Sequence, residues 1–298
     1  MRRILLAGAA VAFVLAACSP TTSTTATPPP ATASALVCTP ASLQTLTPNT
    51  LTIGTDNPAF QPWFGGTGKY GPWKGVPNNG TGNPASGEGY ESGVAYGVAQ
   101  QLGYTKDQVK WVPVGFNESY KPGPKDFDFY LAQVSVTPER AQAVSFSDGY
   151  YDVNQAIVAK KGTPIAGATS IADLKGYQLG AQIGTTSYSF ITDSIQPTKQ
   201  PNVYDNSNDV IAALNAGQID GFVTDAPDAF VAVLIGEVKN GVVVGQFANQ
   251  GEHFGLVFQK DSSLVPCVDK AIGTLKTNGT LTQLQSKWLA DLNYPVLT

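Results

Sequence analysis

The chain has 298 residues, 42% hydrophobic, 10% aromatic and only 13% charged, a composition that builds a large core and excludes a disordered polymer or a coiled coil. Eighteen basic residues against 22 acidic ones give a net charge of −4, and no stretch concentrates Lys and Arg, so nucleic acid is not an expected partner. One histidine and three scattered cysteines offer no metal-ligand cluster, and neither a P-loop nor a GxGxxG phosphate cradle occurs, so no metal and no cofactor is expected.

Arg2 and Arg3 lead 14 apolar residues, 4–17. That run falls short of the ~20 residues of a membrane span but suits the apolar region of a signal peptide. It ends in Leu15-Ala16-Ala17-Cys18, which resembles the bacterial lipobox. Cleavage there makes 1–17 a signal peptide and Cys18 a diacylated N-terminus, on the extracytoplasmic face of the membrane in the cell envelope. Residues 19–35 are only Ser, Thr, Pro and Ala, too polar to offset chain entropy by burial, so 18–47 is expected to be a flexible tether. With Cys18 lipidated, Cys38 and Cys267 remain, and a leftover pair in an oxidising compartment favours a disulfide.

Alternation predicts a first strand at 51–55 and further strands at 109–114, 127–134, 155–159, 178–182, 219–224 and 242–246. Helices fall between them. Val94, Val98 and Leu102 mark one face of a helix at 90–102; Val210, Ile211 and Leu214 form another apolar stripe, stopped by Gly217. Two closing helices, 263–275 and 281–292, are separated by Asn278-Gly279. Strands alternating with helices specify an α/β architecture. Between Gly65 and Gly89, nine glycines and three prolines in 25 residues break the pattern and predict a long surface loop.

Several segments then resemble the substrate-binding proteins of polar amino-acid ABC importers, the bacterial extracellular solute-binding protein family 3. The opening strand and loop, Thr55-Asp56-Asn57-Pro58-Ala59-Phe60-Gln61-Pro62-Trp63-Phe64, and the helix entry Gly89-Tyr90-Glu91 are similar to that family's. The most specific block is Ser135-Val136-Thr137-Pro138-Glu139-Arg140 followed by Val144-Ser145-Phe146-Ser147-Asp148-Gly149-Tyr150-Tyr151. Gly184-Thr185-Thr186 and Val223-Thr224-Asp225 follow in the family's order. Gly149 departs from the usual proline, Ser92-Gly93 from the usual second acidic residue.

The resemblance implies the two-lobed type II periplasmic-binding-protein fold, two discontinuous α/β lobes joined by two crossing strands. It places 48–154 and 256–298 in the first lobe and 155–255 in the second, with crossings at 155–160 and 254–260. The implied function is capture of an amino acid, or a close relative, between the lobes and delivery to the permease subunits of an ABC importer. The protein is expected to be a monomer and no enzyme. The alternatives are a cyclohexadienyl or arogenate dehydratase, with Glu252 as the acid, and an extracytoplasmic sensor.

An α-amino acid presents a carboxylate, an ammonium and a side chain, each needing a partner once water leaves. Arg140, in the first turn of a helix capped by Thr137, is expected to take the carboxylate as a bidentate fork. Asp225, at the C-terminal end of a strand, is expected to accept the ammonium, and Asp56 holds the same kind of position. Ser135, Thr185, Thr186 and Gln133 supply short polar contacts. Phe60, Trp63 and Phe116 are expected to form aromatic walls around the ligand's side chain. His253 has no nucleophile motif beside it, and GxSxG is absent, so catalytic residues are not expected.

Overall fold

The computed structural model describes residues 36–66, 82–248, 251–289 and 294–298. The expected signal peptide, Cys18, the first part of the tether, most of the glycine-rich loop and the end of the last expected helix lie outside them. In chain order the elements run β1 (Leu51–Thr55), α1 (Tyr90–Gln101), β2 (Val109–Pro113), α2 (Phe116–Ser119), β3 (Phe129–Tyr130), α3 (Pro138–Ala143), β4 (Val144–Phe146), β5 (Tyr151–Asp152) and β6 (Gln155–Lys160). Then come β7 (Leu179–Gln182), α4 (Thr186–Phe190), β8 (Asn202–Tyr204), α5 (Ser207–Ala216), β9 (Gly221–Asp225), α6 (Ala226–Leu234) and β10 (Gly241–Phe247). The chain finishes with β11 (His253–Phe254), β12 (Val257–Gln259), α7 (Val265–Thr277), α8 (Thr280–Trp288) and β13 (Val296–Leu297).

Local chemistry accounts for the helix ends. Asn206 caps α5 by accepting from the Asp209 N–H at 3.0 Å, and Gly217, at φ 72°, takes the left-handed turn that stops it. Gly279, at φ 79°, makes the break between α7 and α8. Val94, Val98 and Leu102 are fully buried in the core that α1 shares with α7, as their spacing predicts.

Each lobe is built on one sheet. The first has the order β2-β1-β3-β12-β4, with β1 parallel to β2 and β3 and with β12 antiparallel to its neighbours. The second has the order β13-β10-β6-β9-β7-β8. Its central strand β6 runs antiparallel to both β9 and β10, and apolar clusters cover both its faces.

Four sequence expectations are corrected. Residues 155–160 do not cross between lobes; their continuous apolar run makes them the buried centre of the second sheet. The short antiparallel pair of β5 and β11 passes between the lobes, with His253 opposite Asp152 and Phe254 opposite Tyr151. The segment 127–134 is laddered only at Phe129–Tyr130, because Gln133 turns into the left-handed region at φ 52° and ends the extended run. The C-terminal strand leaves the first lobe's helices and joins the second sheet beside β10, so 256–298 is not wholly first lobe.

The fourth correction concerns residues 36–47, which are tied to the first lobe and not part of a flexible tether. Leu43 packs on the first core, the Leu46 N–H donates to Asp128 Oδ1 at 2.7 Å, and a disulfide joins Cys38 to Cys267, 229 residues away. Cys267 lies on the buried face of α7, so the bridge pins the entering segment to that helix. Closing so long a loop removes much entropy from the unfolded chain. Replacing both cysteines by serine is expected to lower the unfolding free energy by about 2–4 kcal/mol in a denaturant titration while leaving the far-ultraviolet dichroism intact. Unchanged stability would overturn the role assigned to the bridge.

Candidate functional site

A cavity of about 210 Å³ opens between the lobes. Asp56 follows β1 of the first sheet, Thr185 and Thr186 follow β7 of the second, and Asp225 ends β9. These are carboxyl ends of strands, where open α/β sheets gather their ligands. All four residues line the cavity, together with Phe60, Phe116, Gln133, Ser135 and Arg140.

Arg140 is held as its motif predicts. Pro138 opens α3 and Thr137 Oγ1 accepts the Arg140 N–H at 3.2 Å, which sets the side chain's departure toward the cleft. Its guanidinium donates to the Ser135 carbonyl at 2.7 Å in its own lobe and to the Gly184 carbonyl at 2.8 Å in the other. One face rests on the Tyr120 ring, 4.6 Å from its centroid, and Phe116 stands at 5.4 Å. Burial pulls its pKa down, and Tyr120 partly restores it. Tyr120 also donates to the Gly184 carbonyl at 3.2 Å. Gly184 sits at φ 75°, and a Cβ there would come within 2.7 Å of Asn117 Oδ1, so close approach of the lobes at this point requires glycine.

The opposite side of the cavity is acidic. Gln155, at the start of β6, directs Nε2 to Asp225 Oδ1 at 2.6 Å and to Glu252 Oε2 at 3.0 Å, and its Oε1 accepts from the Ser187 hydroxyl at 2.7 Å. Ser135 Oγ donates to Glu252 Oε1 at 2.7 Å and lies 3.4 Å from Thr186 Oγ1. Thr185 caps α4 through the Tyr188 N–H. Desolvation, then the charges of Glu252 and Asp228, push the Asp225 carboxyl well above the usual range. Desolvation likewise raises Asp56 and Glu237. Asp225 precedes α6 without capping it through its side chain, so its carboxylate faces Gln155 and the cavity instead.

Trp63 is not a wall of the cavity. It is buried in the first core, edge-on to Tyr90, Tyr151 and Phe254, and its indole N–H donates to Asp228 Oδ1 at 2.6 Å. The aromatic loop turns this large ring inward, where its apolar area is better buried than in a wet cleft, and leaves Phe60 on the cavity side. Sequence reasoning also missed Tyr120, Gln155, Asp228 and Glu237. Asp228, one helical turn beyond Asp225, was the one with a readable signal. Glu252 does not line the cavity.

The sequence profile of the bacterial extracellular solute-binding proteins, family 3, matches residues 65–291. The chain belongs to this family. Among its relatives, the arginine-binding extracellular protein ArtP of Bacillus subtilis is 26% identical over 211 residues, covering 67% of this chain and 77% of that one. The glutamine-binding protein GlnH of the same organism is 26% identical, with 70% and 76% covered. A solved ancestral arginine-binding protein bound to glutamine is 28% identical with a TM-score of 0.65, over 82% of this chain and 99% of that one. An ancestral amino acid-binding protein described as a precursor of cyclohexadienyl dehydratase is 25% identical with a TM-score of 0.64, over 81% and 96%. The two lobes are those of the type II periplasmic-binding-protein fold.

Trp63 and Asp228 come from different lobes, so their hydrogen bond ties the lobes together. Burial raises the Asp228 carboxyl to about 6, against the pull of the Trp63 N–H. That N–H favours the charged carboxylate, so its contribution is present above pH 6 and fades below it. Trp63→Phe keeps a ring and removes the donor. Its unfolding free energy is expected to fall about 1–2 kcal/mol below wild type at pH 8, with the gap narrowing at pH 5. Equal stability at pH 8 would count against the tie.

Proposed function

We propose that this protein is the receptor of an amino-acid ABC importer, that Cys18 is lipidated and anchors it to the extracytoplasmic face of the membrane, and that it works as a monomer without catalysing a reaction. Its ligand is an α-amino acid with a cationic side chain. The observation that carries this reading is the charge arrangement of the interlobe cavity. Among the described residues Arg140 is the only cation lining it, against the carboxyls of Asp56, Asp225, Asp228 and Glu237. An α-carboxylate forked on Arg140 and an α-ammonium at Asp225 account for one charge of each sign. Three carboxyls then remain for the rest of the ligand.

Shape supports the same assignment. Besides Asp225 the second lobe lines the cavity with Phe222 and Thr224 of β9, Ile211 of α5, Val231 of α6 and Glu237. A lining that combines apolar side chains with a further acid suits aliphatic carbons ending in a cation. The relatives whose names record arginine are in keeping with it. The dehydratase alternative gains nothing from Glu252, which is turned to Ser135 and Gln155.

A thermal-shift screen of the common amino acids tests the reading. L-arginine or L-lysine is expected to give the largest rise, since ligand at a hundred times its Kd adds about 2.7 kcal/mol, while L-glutamate gives none. Calorimetry is expected to show Arg140→Ala weakening the best ligand at least about a hundredfold, with Arg140→Lys recovering little. Asp225→Asn weakens it as well, and all three variants are expected to keep the wild-type far-ultraviolet dichroism of the empty protein. A screen led by acidic or apolar amino acids would refute the charge argument. Near-wild-type binding by both Arg140→Ala and Asp225→Asn would refute the site. Cys18→Ala is expected to leave the membrane fraction, and retention there would refute the anchor.

A further inference from the structure

Glu91, at the helix entry Gly89-Tyr90-Glu91, is a wholly buried carboxylate. It accepts three hydrogen bonds: from the Gln133 backbone N–H at 2.7 Å, from the Gln133 side-chain Nε2, and from the Tyr150 hydroxyl. Both oxygens of Glu91 are therefore engaged, and two of its three donors belong to one residue that lines the cavity. Gln133 is also the residue whose backbone stands in the left-handed region, at φ 52°. For a side chain with a Cβ that conformation is unfavourable, and the paired grip of Glu91 on its main chain and its amide holds it there.

A carboxamide can offer either a donor or an acceptor, and rotating it by half a turn exchanges them. An ionised carboxylate can only accept. The end of Gln133 that faces Glu91 must therefore be its NH2, so Oε1 is the end that Glu91 does not hold, on a residue that lines the cavity. We propose that Glu91 is a positioning residue that fixes Gln133 as a hydrogen-bond acceptor, so that the cleft selects a protonated amine on its ligand over a neutral or acceptor group at that place. This rests on the amino-acid reading above and deepens it by assigning a second acceptor for the ligand's ammonium in the cavity that Asp225 lines.

The assignment has a pH signature. Burial raises the Glu91 carboxyl to about 7, the bonds from Tyr150 and Gln133 work against that, and the charge of Asp228 adds to it. Tyr90 beside it on α1, Tyr130 on β3 and Tyr150 surround it and carry no charge in this range, burial raising all three. A protonated Glu91 carries its own O–H and can pair with either end of the Gln133 amide, so acidification unlocks Gln133. The effect on folding has the opposite sign. A carboxyl whose folded pKa is raised from 4.5 to about 7 binds more protons folded than unfolded, so the fold gains stability as pH falls through that window. A residue that served only packing would let binding follow stability, whereas a lock on Gln133 weakens binding while the fold is strengthened.

The experiment pairs a ligand-free measurement with a binding one. In the unliganded protein, the Gln133 side-chain NH2 signals in a proton–nitrogen NMR spectrum are expected to titrate with a midpoint near pH 7 and to lose that titration in Glu91→Gln. By calorimetry at pH 8, Glu91→Gln is expected to bind L-arginine about tenfold more weakly, the scale of one hydrogen bond involving a charge. Between pH 8 and 6 its affinity should fall less steeply than the wild type's. In a Gln133→Ala background the same Glu91→Gln change should cost no further affinity, because the residue it acts through is gone. Gln133 signals indifferent to both pH and Glu91→Gln would overturn the inference, as would equal losses in the two backgrounds. If the Gln133 signals titrate but wild type does not bind L-arginine, the lock stands and the cationic amino-acid reading fails.

Discussion

A guanidinium taken out of water must keep its donors engaged, and Arg140 does so with carbonyls from both lobes, Ser135 in one and Gly184 in the other. Desolvation of the cation and approach of the lobes are thus parts of one arrangement. Two of the group's five N–H donors meet those carbonyls, and the fork proposed for a ligand carboxylate draws on the others. Tyr120 supports the cation through its ring, 4.6 Å away, and through a side-chain hydrogen bond to it. Gly184 permits the contact only because it has no Cβ to meet Asn117 and Tyr120.

The acidic half of the cleft follows a complementary logic. Asp225 and Glu252 are brought close enough to raise the Asp225 pKa, and the Gln155 amide is inserted between them as a shared donor. Ser187 fixes the orientation of that amide from its other end, just as Glu91 fixes Gln133. Two glutamines are thereby turned from ambivalent groups into groups of defined polarity. Buried carboxyls are costly without a counter-charge, which is the physical ground for the proposed preference for a cationic ligand.

The chain's path makes those contacts depend on lobe position. Among the described residues β5 and β11, two residues long on each side, run between the sheets as a short hinge, and the C-terminal stretch passes from the first lobe's helices to the second sheet as well. Among the described residues, side-chain links across the gap include Arg140 and Tyr120 to Gly184, Ser135 to Thr186, and Trp63 to Asp228. The C-terminal strand beside β10 and the Cys38–Cys267 bridge anchor the two ends of the described chain on different lobes. In a family whose members serve ABC importers, such a hinge converts ligand capture into a shape that a permease can read.

The sequence by itself determined the architecture, because alternation and helical spacing depend only on neighbours along the chain. Val94, Val98 and Leu102, the stop at Gly217, the cap at Thr137 and the break at Gly279 all stand where local rules put them. It also placed Arg140 and Asp225 on the cleft, since both sit in short motifs at element ends whose direction is set locally. Only the tertiary structure decided the rest. Whether Trp63 or Phe60 faces the cavity depends on which ring the first core can bury, and no spacing encodes that. Residues 155–160 read as a strand either way, but their place at the centre of the second sheet is set by partners, β9 and β10, that arrive more than 60 residues later. Glu91 and Gln133 lie 42 positions apart, and their pairing exists because α1 and the turn after β3 pack together, a proximity that is a property of the fold and not of any segment.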